Sequence, residues 1–217
     1  MAKVARFVCA EMIEGDYLEF GVYRGDSLLE ALLCIEKAFF DRIMTTVDNQ
    51  ALAERQSRLQ LWNQMRFFAF DSFQGLPELE GPDAATRDFK PGQYTSSLPV
   101  LKERLARSGL RSDKVTVVEG WFEDTCTQES RMSYGIHKAA VVMIDADLYS
   151  SARTALDFVA PAICDGTVII FDDWFSFRGN RSMGEQKHST NGWRNIHTSM
   201  PSNFRARVPG GRVSLSM

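Results

Sequence analysis

The sequence has only four cysteines, Cys9, Cys34, Cys126 and Cys164, and they are far apart, with no Cys-x-x-Cys pair. That spacing argues against a zinc site, and the simplest reading is four reduced thiols in a cytoplasmic protein. No long apolar run is present. The start, Met1 to Arg6, leads into a short apolar stretch broken by Glu11 and Glu14, so neither a secretory core nor a membrane span is expected. There is no basic block either. Net charge is −3, and the Lys/Arg-containing run 101–111 alternates with Leu and Ala at helical spacing, which reads as the solvated face of a helix. Nucleic acid is therefore not an expected partner. No internal repeat or low-complexity linker divides the 217 residues, a length that one domain, 1–217, accommodates.

Short β-branched and aromatic runs alternate with longer amphipathic stretches. The expected strands are 17–20, 67–70, 115–118, 141–144 and 168–171, and the expected helices include 27–40, 51–64, 98–108 and 151–162. Several of the strands are nearly continuous apolar runs, as in parallel strands covered on both faces. Residues 43–47, with Asp48 at their end, compete with 67–70 for the second strand. At the C-terminus, 203–208 and 212–215 flank Pro209-Gly210-Gly211 and read as a hairpin. The fold class is α/β: a doubly wound, Rossmann-like, mostly parallel sheet with a C-terminal antiparallel hairpin. Two long stretches rich in Gly, Pro and polar residues, 75–97 and 174–192, follow strand ends where such sheets bind ligands. Their Tyr94, Trp174, Phe175 and Phe177 suit mobile loops closing over a site.

Glu19-Phe20-Gly21-Val22-Tyr23-Arg24-Gly25-Asp26-Ser27 links the first strand to a helix. Gly21 and Gly25 allow a tight turn and close approach to a ligand, and Glu19 suits a positively charged group such as an amino group. The same pattern also serves a ligand-free turn. Tyr23 stands where the middle glycine of Gly-x-Gly-x-x-Gly belongs, and no P-loop is present, so a nicotinamide cofactor is disfavoured. Asp71, followed by Ser72, ends the second strand, where a carboxylate either accepts both hydroxyls of a ribose or caps the turn. Trp121, Phe122 and Glu123 follow the third strand and either flank an adenine or pack in the core.

Asp145 and Asp147 end one strand, and Asp172 and Asp173 end the next. Carboxylates gathered at one sheet edge repel unless a cation or proton relieves them, and hard oxygens suit Mg²⁺. Helix capping is the alternative. His137 precedes a strand and reads as a surface residue, whereas His188, in the loop after Asp173, and His197 are weaker candidates for a base.

Together these segments resemble the macrocin O-methyltransferase family of class I methyltransferases, which includes enzymes that methylate sugars of antibiotics. The motifs are Leu18-Glu19-Phe20-Gly21-Val22-Tyr23-Arg24-Gly25, Phe70-Asp71-Ser72-Phe73-Gln74-Gly75-Leu76-Pro77, Glu119-Gly120-Trp121-Phe122-Glu123-Asp124, Asp145-Ala146-Asp147-Leu148-Tyr149-Ser150-Ser151 and Gly166-Thr167-Val168-Ile169-Ile170-Phe171-Asp172-Asp173. The resemblance implies a seven-stranded sheet and an O-methyltransferase using S-adenosylmethionine. It implies Glu19, Gly21, Tyr23, Gly25 and Ser27 around the methionine part, Asp71 and Ser72 on the ribose, and Trp121, Phe122 and Glu123 near the adenine. It places Asp145 beside the cofactor, with Mg²⁺ on Asp145, Asp172 and Asp173. Asp147 or Asp145 then serves as base, because Leu148 stands where catechol-type enzymes carry a lysine. The first strand lies close to the start, leaving little room for the N-terminal lid of some relatives. The partner implied is a small-molecule hydroxyl acceptor, with no nucleic acid and no membrane, and a homodimer is a candidate assembly. The rival from another class is a non-catalytic adenosyl-binding module, which has no need of the aspartates.

Overall fold

Five runs of aromatic and β-branched residues form parallel strands: β1 Asp16–Phe20, β2 Phe67–Asp71, β3 Val115–Glu119, β4 Ala139–Ile144 and β5 Ile163–Phe171. A computed structural model describes residues 1–45, 51–81, 83–85 and 89–174, together with the backbone of 207–208 and 211–212. The strand order is β3-β2-β1-β4-β5. Every residue of β1 and β4 is buried, whereas the outer strands β3 and β5 alternate between covered and open positions. Position in the sheet thus explains why the central strands are continuous apolar runs.

Successive side chains leave a strand on opposite faces, and two cores result. On one face, Tyr17, Phe67, Ala69, Val141 and Met143 pack under helices α1 Ala2–Ala10, α2 Asp26–Thr45, α3 Ala51–Gln64 and α4 Leu98–Arg107. On the other, Leu18, Phe20, Phe68, Phe70, Val142, Ile144 and Phe171 meet Phe122 of the short helix α5 Phe122–Thr125. Ala152, Ala155, Leu156, Phe158 and Val159 of α7 Tyr149–Val159 complete that core. Helix α6 Gln128–Ser133 leads into β4.

The chain runs outward from β1 to β2 and β3, then returns to β4 on the other side of β1. Between β1 and β4 the direction of winding reverses, and the crevice beyond their carboxyl ends is where such sheets hold ligands. At the opposite edge, Arg66 binds both carboxylate oxygens of Asp16 (3.1 and 2.6 Å) and donates to the carbonyls of Tyr134 and Gly135.

Several expectations change. The alternative strand at 43–47 gives way to helix, because α2 continues through Ile43, which is buried against the first core, to Thr45; positions 46–48 lie outside the described residues. Helix α7 begins two residues earlier than expected and ends at Val159. Helices α1, α5 and α6 were not anticipated. Among the described residues, five strands form the main sheet. Arg207–Val208 pairs antiparallel with Gly211–Arg212 as a separate two-stranded unit, and the rest of the expected hairpin lies outside the described residues. Among the described residues, no helix is long and apolar enough to cross a membrane.

Candidate active site

The turn after β1 is shaped by two close approaches. Gly21 has φ +86°, and a Cβ there would lie 1.8 Å from the carbonyl oxygen of Asp145. At Gly25, with φ +82°, a Cβ would lie 2.3 Å from the side chain of Leu101. The glycines are therefore required by the chain's own packing. Glu19 shares the strand face of Tyr17 and is fully buried. It accepts hydrogen bonds from Tyr17 Oη (2.5 Å) and Ser27 Oγ (2.6 Å). Burial pushes its carboxyl up to about 8, against the opposing effect of those two hydroxyls. Glu19, Gly25 and Ser27 do not line the cavity described below. They stand beneath the turn, where the buried acid has its partners within the chain.

Asp71 joins two loops. Its Oδ2 accepts from the amides of Val22 (2.7 Å) and Tyr23 (2.8 Å), and its Oδ1 accepts from Phe73 N (2.6 Å). Capping is therefore its role in this structure. A carboxylate has about four acceptor positions, so capacity for one more donor is left at the cavity wall. Ser72 Oγ accepts from Gln74 N. Trp121 stands just before α5, and Phe122 packs edge-on against Phe20 with centroids 5.8 Å apart.

A cavity of about 310 Å³ opens at the carboxyl edge of the sheet. Of the expected site residues, Gly21, Tyr23, Asp71, Ser72, Trp121, Phe122, Glu123, Asp145, Asp147, Asp172 and Asp173 line it. Asp145 is held at about 7 by burial, then by the negative Asp172, Asp173 and Asp71. Asp147, in the left-handed region at φ +54°, is also raised, by burial and by Asp173 and Asp145, and it shares a hydrogen bond with Asp173. Asp145, Asp172 and Asp173 all border this cavity, and among the described residues no group of three or more His, Cys, Asp or Glu side chains stands so as to hold a metal. Without a cation, close carboxylates separate or share a proton.

Gly75, Leu76, Pro77 and Tyr94, from the stretch expected to cover the site, also line the cavity, and so does Ser151, which was not anticipated there. The stretch 75–97, expected as a mobile cover, is tied down in its described parts. Leu76 N donates to Gln93 O, Gly92 N to Leu76 O and Ser96 N to Phe73 O, while Thr95 Oγ1 donates to Gln74 O. Asp83, 3% exposed, accepts from the amides of Tyr149 and Ser150 at 3.0 Å, capping α7. The only signal was an Asp in a Gly/Pro loop. His137 is exposed, and Trp174 packs on Phe171; Phe175, Phe177, His188, His197 and the rest of 175–192 lie outside the described residues.

The family model described as Macrocin-O-methyltransferase (TylF) matches residues 1–200. Similar proteins include the 8-demethyl-8-(2,3-dimethoxy-alpha-L-rhamnosyl)-tetracenomycin-C 4'-O-methyltransferase of Streptomyces olivaceus, 29% identical over 77% of this chain and 56% of that one. Another is the mycinamicin III 3''-O-methyltransferase of Micromonospora griseorubida, 28% identical over 75% of this chain and 56% of its own. The chain thus spans little more than half the length of these relatives. Among solved structures, the O-methyltransferase NovP matches with TM-score 0.63 at 20% identity, over 91% of this chain and 70% of that chain. CalS11, a calicheamicin methyltransferase, matches with TM-score 0.55 at 19% identity, over 79% of this chain and 62% of its own. At such identity the structural likeness concerns the fold. With the family match running from the first residue to position 200, the chain belongs to the macrocin O-methyltransferase family.

Proposed function

We propose that the chain is an S-adenosylmethionine-dependent O-methyltransferase acting on a hydroxyl of a small molecule, a sugar or other vicinal diol of natural-product type. The observation that carries this is the single cavity on which the glycine turn, Asp71, the Trp121–Phe122–Glu123 segment and four aspartates converge. Asp71 would use its remaining acceptor capacity on a ribose hydroxyl, and Phe122 and Glu123 would flank the adenine. Raised as they are, Asp145 and Asp147 suit proton acceptance from a hydroxyl near neutral pH, where a base is most effective. Asp145 or Asp147 would take the proton of the acceptor hydroxyl as its oxygen receives the methyl group that bound S-adenosylmethionine would supply.

The donor chemistry of Asp145, Asp172 and Asp173 fits Mg²⁺: hard oxygens from adjacent strand ends whose repulsion a cation relieves. When bound, S-adenosylmethionine supplies an activated methyl group and Mg²⁺ a positive charge beside the acceptor hydroxyl. On the same reading the chain forms one domain with a seven-stranded sheet, and a homodimer is the assembly. The free state of all four cysteines supports a cytoplasmic location.

S-Adenosylhomocysteine should raise the melting temperature, and NADH should not. Asp145→Asn or EDTA should lower transfer of a labelled methyl group to vicinal diols by about 100-fold or more while leaving S-adenosylhomocysteine affinity nearly unchanged, and added Mg²⁺ should reverse the EDTA effect. Transfer that survives both EDTA and Asp145→Asn would remove the metal. Tighter binding of NADH than of S-adenosylhomocysteine would overturn the cofactor. Binding without transfer to any acceptor would make the chain an adenosyl-binding module.

A further inference from the structure

The cavity rim carries two tyrosines in conformations that tyrosine rarely adopts. Tyr23 has φ +49° and Tyr94 has φ +64°, both in the left-handed region. Non-glycine residues there persist only where surrounding contacts hold them. Asp71 holds Tyr23 through its amide, and the backbone bonds between Leu76 and the 92–93 segment hold the loop of Tyr94. The strain is accepted to stand two rings together: they meet edge to face, centroids 6.1 Å apart, and both line the cavity. At 37% and 46% exposure they keep open surface that core aromatics do not. The Tyr94 hydroxyl is held above the usual tyrosine range by burial and then by the negative Asp147, Asp173 and Asp145, against the effect of a hydrogen bond with the Gln93 side chain, and Tyr94 shares the cavity wall with those aspartates.

We propose that Tyr94 is a positioning residue: its ring and that of Tyr23 form a rim against which a cyclic acceptor packs, and its hydroxyl fixes which acceptor oxygen faces the aspartates. This rests on the methyltransferase reading above and specifies the acceptor as a ring bearing adjacent hydroxyls. An aromatic ring offers an apolar face for the acceptor ring, and the phenol supplies the direction.

The test compares the unmodified chain with Tyr94→Phe and Tyr94→Ala, using methyl α-L-rhamnopyranoside and cis-cyclohexane-1,2-diol as acceptors and labelled S-adenosylmethionine as donor. Affinity for S-adenosylhomocysteine should stay within about twofold in both variants. Tyr94→Phe should raise KM for the acceptor about 3–10-fold with kcat little changed, and spread the label over neighbouring hydroxyls of the rhamnoside. Tyr94→Ala should lower kcat/KM about 30–100-fold. Unchanged KM and an unchanged methylation position in both variants would overturn the proposal. So would a Tyr94→Phe protein that loses cofactor affinity as steeply as acceptor turnover, since the residue would then only support the fold. An unmodified chain that binds S-adenosylhomocysteine but methylates neither ring overturns it as well, whereas one that does not bind S-adenosylhomocysteine overturns the methyltransferase reading itself.

Discussion

Glu19 ionises against the cost of its own burial, and that makes it a pH-dependent term in stability. Its carboxyl titrates near 4.5 when unfolded and at about 8 when folded. The folded state therefore holds the extra proton in that window, and stability falls as pH rises through it. Glu19→Gln keeps the shape, and its amide can still meet the hydroxyls of Tyr17 and Ser27. In calorimetric scans the variant should match the parent near pH 5 and melt several degrees higher at pH 8 to 9. A variant equally stable, or less so, at pH 9 would show that the charge is not what burial opposes. Both Glu19 and Asp71 were legible as acids at strand ends. What they touch was not, because a carboxylate at a strand end reads the same whether it faces a ligand, a hydroxyl or a backbone amide. Asp71 accepts three short hydrogen bonds from amides 49, 48 and 2 residues away, and the two longer separations lie outside any local pattern.

Among the elements, the central strands were the easiest to read, since burial on both faces leaves a continuous apolar signature. Their edge partners were harder. β5 begins at Ile163, five residues before its apolar run, because one side of an edge strand tolerates Cys164, Asp165 and Gly166. Helix α7 shows what a long-range cap contributes. It has no cap from its own N-terminal residue, and Asp83, 66 and 67 residues away, binds its first amides instead. Asp83→Ala should cost about 1–2 kcal/mol and lower the melting temperature by about 2–8 °C, at roughly 2–4 °C per kcal/mol for a chain of this size. It should also speed chymotrypsin cleavage after the exposed Tyr94. An unaltered melting temperature and cleavage rate would mean that the loop is held without this cap.

Across the whole molecule, the two ends of the sheet have different work. Arg66 ties β1, β2 and the chain before β4 together at the end away from the cavity, through Asp16 and two carbonyls. Removing it leaves Asp16, 5% exposed, without its guanidinium. Arg66→Ala should therefore destabilise the fold by about 2–3 kcal/mol, read from urea unfolding. S-Adenosylhomocysteine affinity at the opposite end should stay within about twofold. Loss of affinity in step with stability would mean that the two ends are not independent. The α/β class, the winding and the sheet edge that carries the site were legible from the alternation of strand and helix. The cavity's shape was not, because its walls come from loops that no periodicity describes.

The contact between Gly21 and the Asp145 carbonyl bears on how such a chain can diversify. A side chain at position 21 has nowhere to go unless the backbone after β4 moves, and moving that backbone displaces Asp145 and Asp147. A side chain at position 21 must therefore be answered by a shift of the backbone at Asp145, whereas a side-chain change at Asp145 asks nothing of Gly21. On the proposed reading, variation in the acceptor would be left to Tyr23 and Tyr94, whose side chains border the cavity and stay partly open. New acceptors would be reached through the rim, and the floor would be inherited unchanged.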